Sequence, residues 1–313
     1  MATNARARRL TDLTARPMYH PLEARLGSWR GVLVPLDGSE NAIRALHPGS
    51  TLAYSMGMPL YAMGAVTRTL DVEPAKRRMQ QQLDRLSVAT AGVHVVTAAS
   101  AIHAIATEAT SRSLLVCMAS GGHRRVADVV RRRVVAGVVR RLDEPAVVVG
   151  PKVTREDGQV GTIYACLDGT PAAEAILPAV AALARHTGAT IHLISVVRPT
   201  LTVFDLMEYS ASTGPADRQS YLSQLAASSQ AEQIVSHQVI EARLVASSII
   251  DLVRADLGAV VALTSHTRRG LGQLVFGSVA ARIVSACPRQ VVLLRGHEPR
   301  AHWPLRRLPR SGF

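Results

Sequence analysis

Two aspartates and one Gly-Ser pair are the residues of this sequence best placed to do chemistry. Asp37 ends the run Gly31-Val-Leu-Val-Pro-Leu-Asp37-Gly-Ser39, and Asp168 ends Gly161-Thr-Ile-Tyr-Ala-Cys-Leu-Asp168-Gly-Thr170. A carboxylate just past an apolar strand can meet a ligand held over the strand end; it can equally close a turn or cap the following helix. Gly277-Ser278 opens the apolar-periodic stretch Val279-Ala-Ala-Arg-Ile-Val. At a helix start, free backbone N–H groups and the positive end of the helix dipole receive a phosphate. Glycine lets the backbone approach it, and the Ser278 hydroxyl adds a donor. His266 follows in the loop Thr264-Ser-His-Thr-Arg-Arg-Gly-Leu and titrates near neutrality, but no acid or nucleophile stands at a spacing that would make it catalytic. Neither loop carries a lysine, a metal-ligand cluster or a Ser/His/Asp order. Binding, not turnover, is the chemistry these residues suit.

What must position them is one unit written twice. After each Asp-Gly-Ser/Thr comes an Ala/Leu-rich helical stretch containing a proline, Pro48 or Pro178, and then a strand, Leu60 to Val66 or Thr190 to Val197. Amphipathic helices are expected over Glu73 to Thr90 and Asp217 to Val235, then strands over Val93 to Ala98 and Val239 to Val245. Helices over Ser100 to Ser113 and Ser247 to Gly258 lead into strands Leu114 to Ala119 and Val260 to Thr264. Each half closes with a helix, a proline and a valine-rich strand, Pro145-Ala-Val-Val-Val149 and Pro288-Arg-Gln-Val-Val-Leu-Leu294. Five strands alternating with four helices per half predict an α/β fold: two tandem five-stranded parallel sheets with helices on both faces, because each parallel crossover needs a helix to return the chain. Ligands of such sheets bind beyond the carboxyl ends of the strands, where the strand order reverses, which singles out the ends of the first and fourth strands.

The expected boundaries are a disordered basic extension over 1–28, domains over 29–151 and 160–296, and a disordered Pro/Arg-rich tail over 297–313. Between matched landmarks the second half is about twelve residues longer than the first, an excess most of which is expected in the Arg198 to Arg218 loop.

Composition narrows the function classes. With 48% apolar and 4% aromatic residues in 313, each half can build a core of Val, Leu, Ile and Ala, the mix of buried parallel strands. The net charge of +13 is carried almost wholly by arginines scattered through both halves, with no aromatics interleaved as a base-stacking surface would need, so a nucleic-acid partner is not expected. Cys117, Cys166 and Cys287 have no Cys-x-x-Cys spacing and sit in or beside apolar runs, which speaks against disulfides and zinc. No apolar leader and no 18-residue apolar run is present, so a cytoplasmic location away from the membrane is expected.

The strand-end Asp, the Thr-Ser-His-Thr-Arg-Arg-Gly-Leu loop and the Gly-Ser-Val-Ala helix start resemble the universal stress protein family, twice over nearly the whole chain. ATP-binding members carry Gly-x-x-Gly, nine residues, then Gly-Ser/Thr. Here Thr264-Ser-His-Thr267, then Arg268 to Phe276, then Gly277-Ser278 keeps that spacing with threonines in place of the two leading glycines. The resemblance implies a tandem, Rossmann-like fold of the adenine nucleotide alpha hydrolase-like type, and non-catalytic binding of ATP or AMP, with Mg2+ as a companion ion. It implies that Asp168 and Val196 meet the adenine end while Thr264, Thr267, Gly277, Ser278 and Val279 line ribose and phosphates. In the first half, counting back from Pro145 puts Val134-Val135 where the second has Gly277-Ser278, so that site is expected to be degenerate. Val130, Val134, Val138 and Leu142 there read as the buried face of one long helix with Arg131, Arg132 and Arg133 solvated; a phosphate-binding arginine cluster is the alternative. The resemblance also implies that the last strands, Ala146 to Val149 and Gln290 to Leu294, pair edge to edge as an intramolecular pseudo-dimer, with further homodimerisation left open. The rival reading is a nucleotide-independent scaffold or protein-interaction module of the same fold.

Overall fold

Strands rich in β-branched residues alternate with Ala- and Leu-rich helices throughout the computed structural model, which describes residues 27–121, 126–154, 159–199, 214–228, 233–265 and 276–296. The first half contributes β1 (Gly31–Pro35), β2 (Leu60–Val66), β3 (Gly92–Thr97), β4 (Leu114–Ala119) and β5 (Ala146–Val149). The second contributes β6 (Thr162–Cys166), β7 (Thr190–Val197), β8 (Ile234–Glu241), β9 (Ala259–Ser265) and β10 (Gln290–Arg295). All ten form one sheet in the order β3-β2-β1-β4-β5-β10-β9-β6-β7-β8. Within each half the pairs are parallel; the seam between β5 and β10 is antiparallel, with Val148, Val147 and Ala146 opposite Val291, Val292 and Leu293. The two halves therefore repeat one strand order, each with its first strand flanked by its second and fourth.

Around the sheet lie α1 (Glu40–Ile43), α2 (Leu46–Ser55), α3 (Val72–Arg85), α4 (Ala101–Arg112) and α5 (Val126–Val139), then α6 (Pro171–Glu174), α7 (Leu177–Thr187), α8 (Pro215–Ser228), α9 (Val245–Val253) and α10 (Ser278–Ala286). Alternate strand residues feed two apolar layers, one per face. Val34, Val147, Ile163, Ala262 and Val292 join one layer, and Leu33, Val148, Val261, Val291 and Leu293 the other. Both layers run across the seam, so neither half has a core wholly its own.

A second set of contacts spans the halves. Trp29, 6% exposed, donates its indole N–H to Glu144 Oε2 at 3.1 Å, and Gly27 N donates to the same oxygen at 3.2 Å. His186 of α7 donates from Nε2 to the Gly27 carbonyl at 3.1 Å, with its ring 6.0 Å from that of Trp29. Gly27 has φ +84, and a Cβ there would collide with Ala182. Across the sheet, Arg295 of β10 reaches the Arg140 carbonyl and Asp143 Oδ1, the latter at 3.4 Å.

Two expectations need correction. The single helical stretch after each first strand is two helices, α1 with α2 and α6 with α7. Pro48 and Pro178 occupy the opening turns of α2 and α7, where a missing N–H costs nothing, so the prolines start helices instead of interrupting them. Strand β8 begins at Ile234, five residues before the expected Val239, and α8 ends at Ser228. The β-branched pair Ile234-Val235 suits the end of an amphipathic helix, yet Ile234 takes up the ladder with Ile191 while Val235 faces out, 56% exposed.

Candidate functional site

Strand register brings three of the expected residues to one level. Cys166 pairs with Ile194, and two residues on along each strand stand Asp168 and Val196. On the other side of β6, Ala165 pairs with Ala262, from which Thr264 follows at two residues and Asp168 at three. The chain passes from β6 to β7 and β8 on one side and then crosses to β9 on the other, so the gap between β6 and β9 is where the strand order reverses. Asp168 and Thr264 stand at its lip.

Asp168 is exposed and locked into a turn. Its Oδ1 accepts from Thr170 N at 3.0 Å and from Thr170 Oγ1 at 2.6 Å, while Thr170 Oγ1 in turn accepts from Ala173 N at 3.2 Å and caps α6. Gly169 takes φ +79 to allow it. The first half repeats the device: Asp37 Oδ1 accepts from Ser39 N at 2.9 Å and from Ser39 Oγ, and Ser39 caps α1. Turn-closing is thus a real role of both aspartates, and it fixes each carboxylate at its strand end.

Helix α10 begins at Ser278, with Gly277 as its cap residue and no side-chain cap bond; Ser278 is exposed and Val279 half-buried. The first-turn N–H groups of such a helix have no intrahelical acceptor, which leaves donors for an anion. Thr264 is 5% exposed and its Oγ1 has no hydrogen-bond partner, an unsatisfied donor and acceptor at the end of β9. An unsatisfied hydroxyl and free helix-start N–H groups are donors of the kind an anion takes. Thr267 and His266 lie outside the described residues. In the first half the equivalents of Gly277-Ser278, Val134-Val135, fall inside α5, where their N–H groups belong to the helix ladder and Val135 is fully buried. A separate open cleft of about 500 Å3, lined by Glu40, Arg44, His47, Leu86 and Val153 among others, lies against α1 and α2 of the first half, away from the β6–β9 gap.

A further group was not read from the sequence. Glu174, 6% exposed, accepts a 2.8 Å hydrogen bond from the Tyr221 hydroxyl of α8, and its other carboxylate oxygen has no partner. Burial pushes the Glu174 carboxyl above the usual carboxylate range; the Tyr221 bond offsets part of this and the Asp168 charge adds to it. Burial and the Glu174 charge likewise push the Tyr221 phenol up. Arg218, one turn before Tyr221, packs its guanidinium onto Gly169 so closely that a Cβ there would collide with it. Only the capping pattern hinted at any of this: Glu174 stands four residues past Thr170, but its link to Tyr221 spans 47 residues.

A carboxyl whose folded pKa is raised contributes stability that is complete below its unfolded value and is lost as pH rises through its folded value. Glu174→Gln removes that penalty while keeping an acceptor for Tyr221. The variant should melt about 2–4 °C above the parent at pH 7, the shift of about 1 kcal/mol in a chain of this size, with the gap closing as pH falls towards 4. Thermal melts across that range check it; a gap that widens on acidification contradicts it.

Among the described residues no helix is long and apolar enough to cross a membrane, and no three metal-ligating side chains converge. Comparison with known proteins places this geometry. The universal stress protein family model matches residues 160–295. A universal stress protein from Archaeoglobus fulgidus DSM 4304 superposes with a TM-score of 0.60 at 14% identity, covering 86% of this chain and 100% of that one. A functionally unknown protein from Pseudomonas aeruginosa PAO1 superposes with a TM-score of 0.53 at 15% identity, covering 87% and 94%. At such identities the likeness is one of fold. No curated protein matches the chain in sequence. The Asp168 turn, the Gly277-Ser278 helix start and the family match converge on one statement: residues 160–295 belong to the universal stress protein family, and the strand order of that domain is written a second time in the first half of the chain.

Proposed function

We propose that the chain is a non-catalytic, nucleotide-responsive stress protein, in which ATP or AMP occupies the second half alone. Bound nucleotide biases the conformation or partner choice of the pair. In this reading the functional units are residues 29–151 and 160–296, joined across the β5–β10 seam as an internal pseudo-dimer. The antiparallel pairing of the two valine-rich strands supports that arrangement, since it covers edges each half would otherwise expose.

The observation that carries the nucleotide reading is the contrast between helix starts. Gly277-Ser278 opens α10, the helix between β9 and β10, whereas Val134-Val135 sits within α5. Adenine meets Asp168 and Val196; phosphates, with Mg2+ where present, run to Gly277, Ser278 and Val279. Titration calorimetry tests it: ATP should bind saturably, Asp168→Ala should weaken binding about tenfold, the scale of one hydrogen bond to a charged group, and Gly277→Asp, which sets a carboxylate against the phosphates, should weaken it by about a hundredfold or more.

The scaffold reading draws on Thr264, whose buried side chain occupies space at the strand end that a glycine would leave free. No binding at millimolar ATP by a folded protein would decide for the scaffold.

A further inference from the structure

Arg218 is a cation in an unfavourable place. It stands in the first turn of α8, where the helix dipole disfavours positive charge. It is half-buried, its Nε has no hydrogen-bond partner, and among the described residues it forms no ion pair. What holds it is packing: the guanidinium lies against Gly169, and its central carbon is 5.7 Å from the centre of the Tyr221 ring, whose hydroxyl donates to Glu174. The first half answers the same need with a neutral group, since Gln82 donates its amide to the Gly38 carbonyl at 3.1 Å. The Gln82 amide nitrogen finds its acceptor in the turn, with Oε1 left unpartnered; the Arg218 guanidinium makes no such bond among the described residues.

Its position also says which end of a ligand it would meet. Helix α8 packs on β7 and β8, whereas α10 packs on β9 and β10. Arg218 therefore stands against Gly169 on the β7 side of Asp168, and Gly277-Ser278 opens the helix on the β9–β10 side. We propose that Arg218 is a binding residue for the nucleoside part of the ligand: its planar guanidinium walls the base end of the site, donating to an acceptor of the base or ribose and packing on the ring, and it does not serve the phosphates. This rests on the nucleotide reading above and adds to it a residue that separates the two halves by charge.

The test compares adenosine with ATP, by calorimetry, on the full chain. Arg218→Ala should weaken both about tenfold, the scale of a partly desolvated cation–ring contact, leaving their affinity ratio unchanged. Arg218→Lys keeps the charge without the planar fork and should weaken both alike by a smaller factor; it carries the test if the alanine variant proves unstable. Loss confined to ATP, or affinities unchanged in both variants, overturns the assignment while the nucleotide reading stands. If the parent protein binds neither compound, the nucleotide reading fails and takes this one with it.

Discussion

Val292→Asp should unfold both halves at once, at a cost above about 4 kcal/mol, the range reached when an unpaired charge is buried. Val292 is 2% exposed, sits in β10 opposite Val147 of β5 and Ala262 of β9, and joins the core layer that also holds Ile163 and Val34. A carboxylate at that point has no partner within the layer and must either stay buried or part the seam. Because apolar packing is continuous from β1 to β8, the loss is not confined to one half. Urea unfolding followed by circular dichroism should give one shifted transition. Val292→Ala, which removes only methyl groups, should cost a fraction as much. A Val292→Asp protein within about 1 kcal/mol of the parent would mean that the seam contributes little to holding the sheet together.

Trp29→Ala should cost about 3–5 kcal/mol, the range for deleting a buried aromatic side chain. Trp29 belongs to an apolar layer that both halves share, and its removal also takes one of the two donors from Glu144 Oε2. Burial already pushes the Glu144 carboxyl above the usual range, with the Gly27 and Trp29 bonds working against that rise. Losing the indole N–H raises the cost of keeping this carboxylate ionised, so the deficit should be larger at pH 7 than at pH 4. Trp29→Phe restores most of the volume but not the donor and should recover the greater part of the loss. Equal destabilisation by Ala and Phe would shift the weight from packing to the hydrogen bond.

Much of this architecture was legible because the repeat doubles every signal. Strands β2, β4 and β7 run between the residues expected from composition alone, each a short apolar run bounded by turn residues. The strand-end aspartates and the Gly277-Ser278 helix start were legible for the same reason: turn and cap chemistry is local. What escaped was non-local or double in meaning. Ile234-Val235 suits the end of an apolar helix face as well as an edge strand, and the ladder to β7 decides between them. The prolines at 48 and 178 marked a break without saying on which side of it the helix lies. The clasp of Gly27 and Trp29 on Glu144 joins residues more than a hundred positions apart, and the Tyr221–Glu174 bond spans 47 residues. No spacing within either half encodes those pairings. The fold was therefore more readable than the candidate site, because the candidate residues come from three strand ends and a helix start far apart in the chain.

The central claim is that one half binds nucleotide and the other does not, and the stoichiometry of ATP binding tests it most directly. Calorimetric titration of the parent protein and of the Asp37→Ala and Asp168→Ala variants should give one site per chain, unchanged by Asp37→Ala and weakened about tenfold by Asp168→Ala, the scale of one charge-assisted hydrogen bond. Two sites per chain, or a loss that follows Asp37 instead of Asp168, would contradict it.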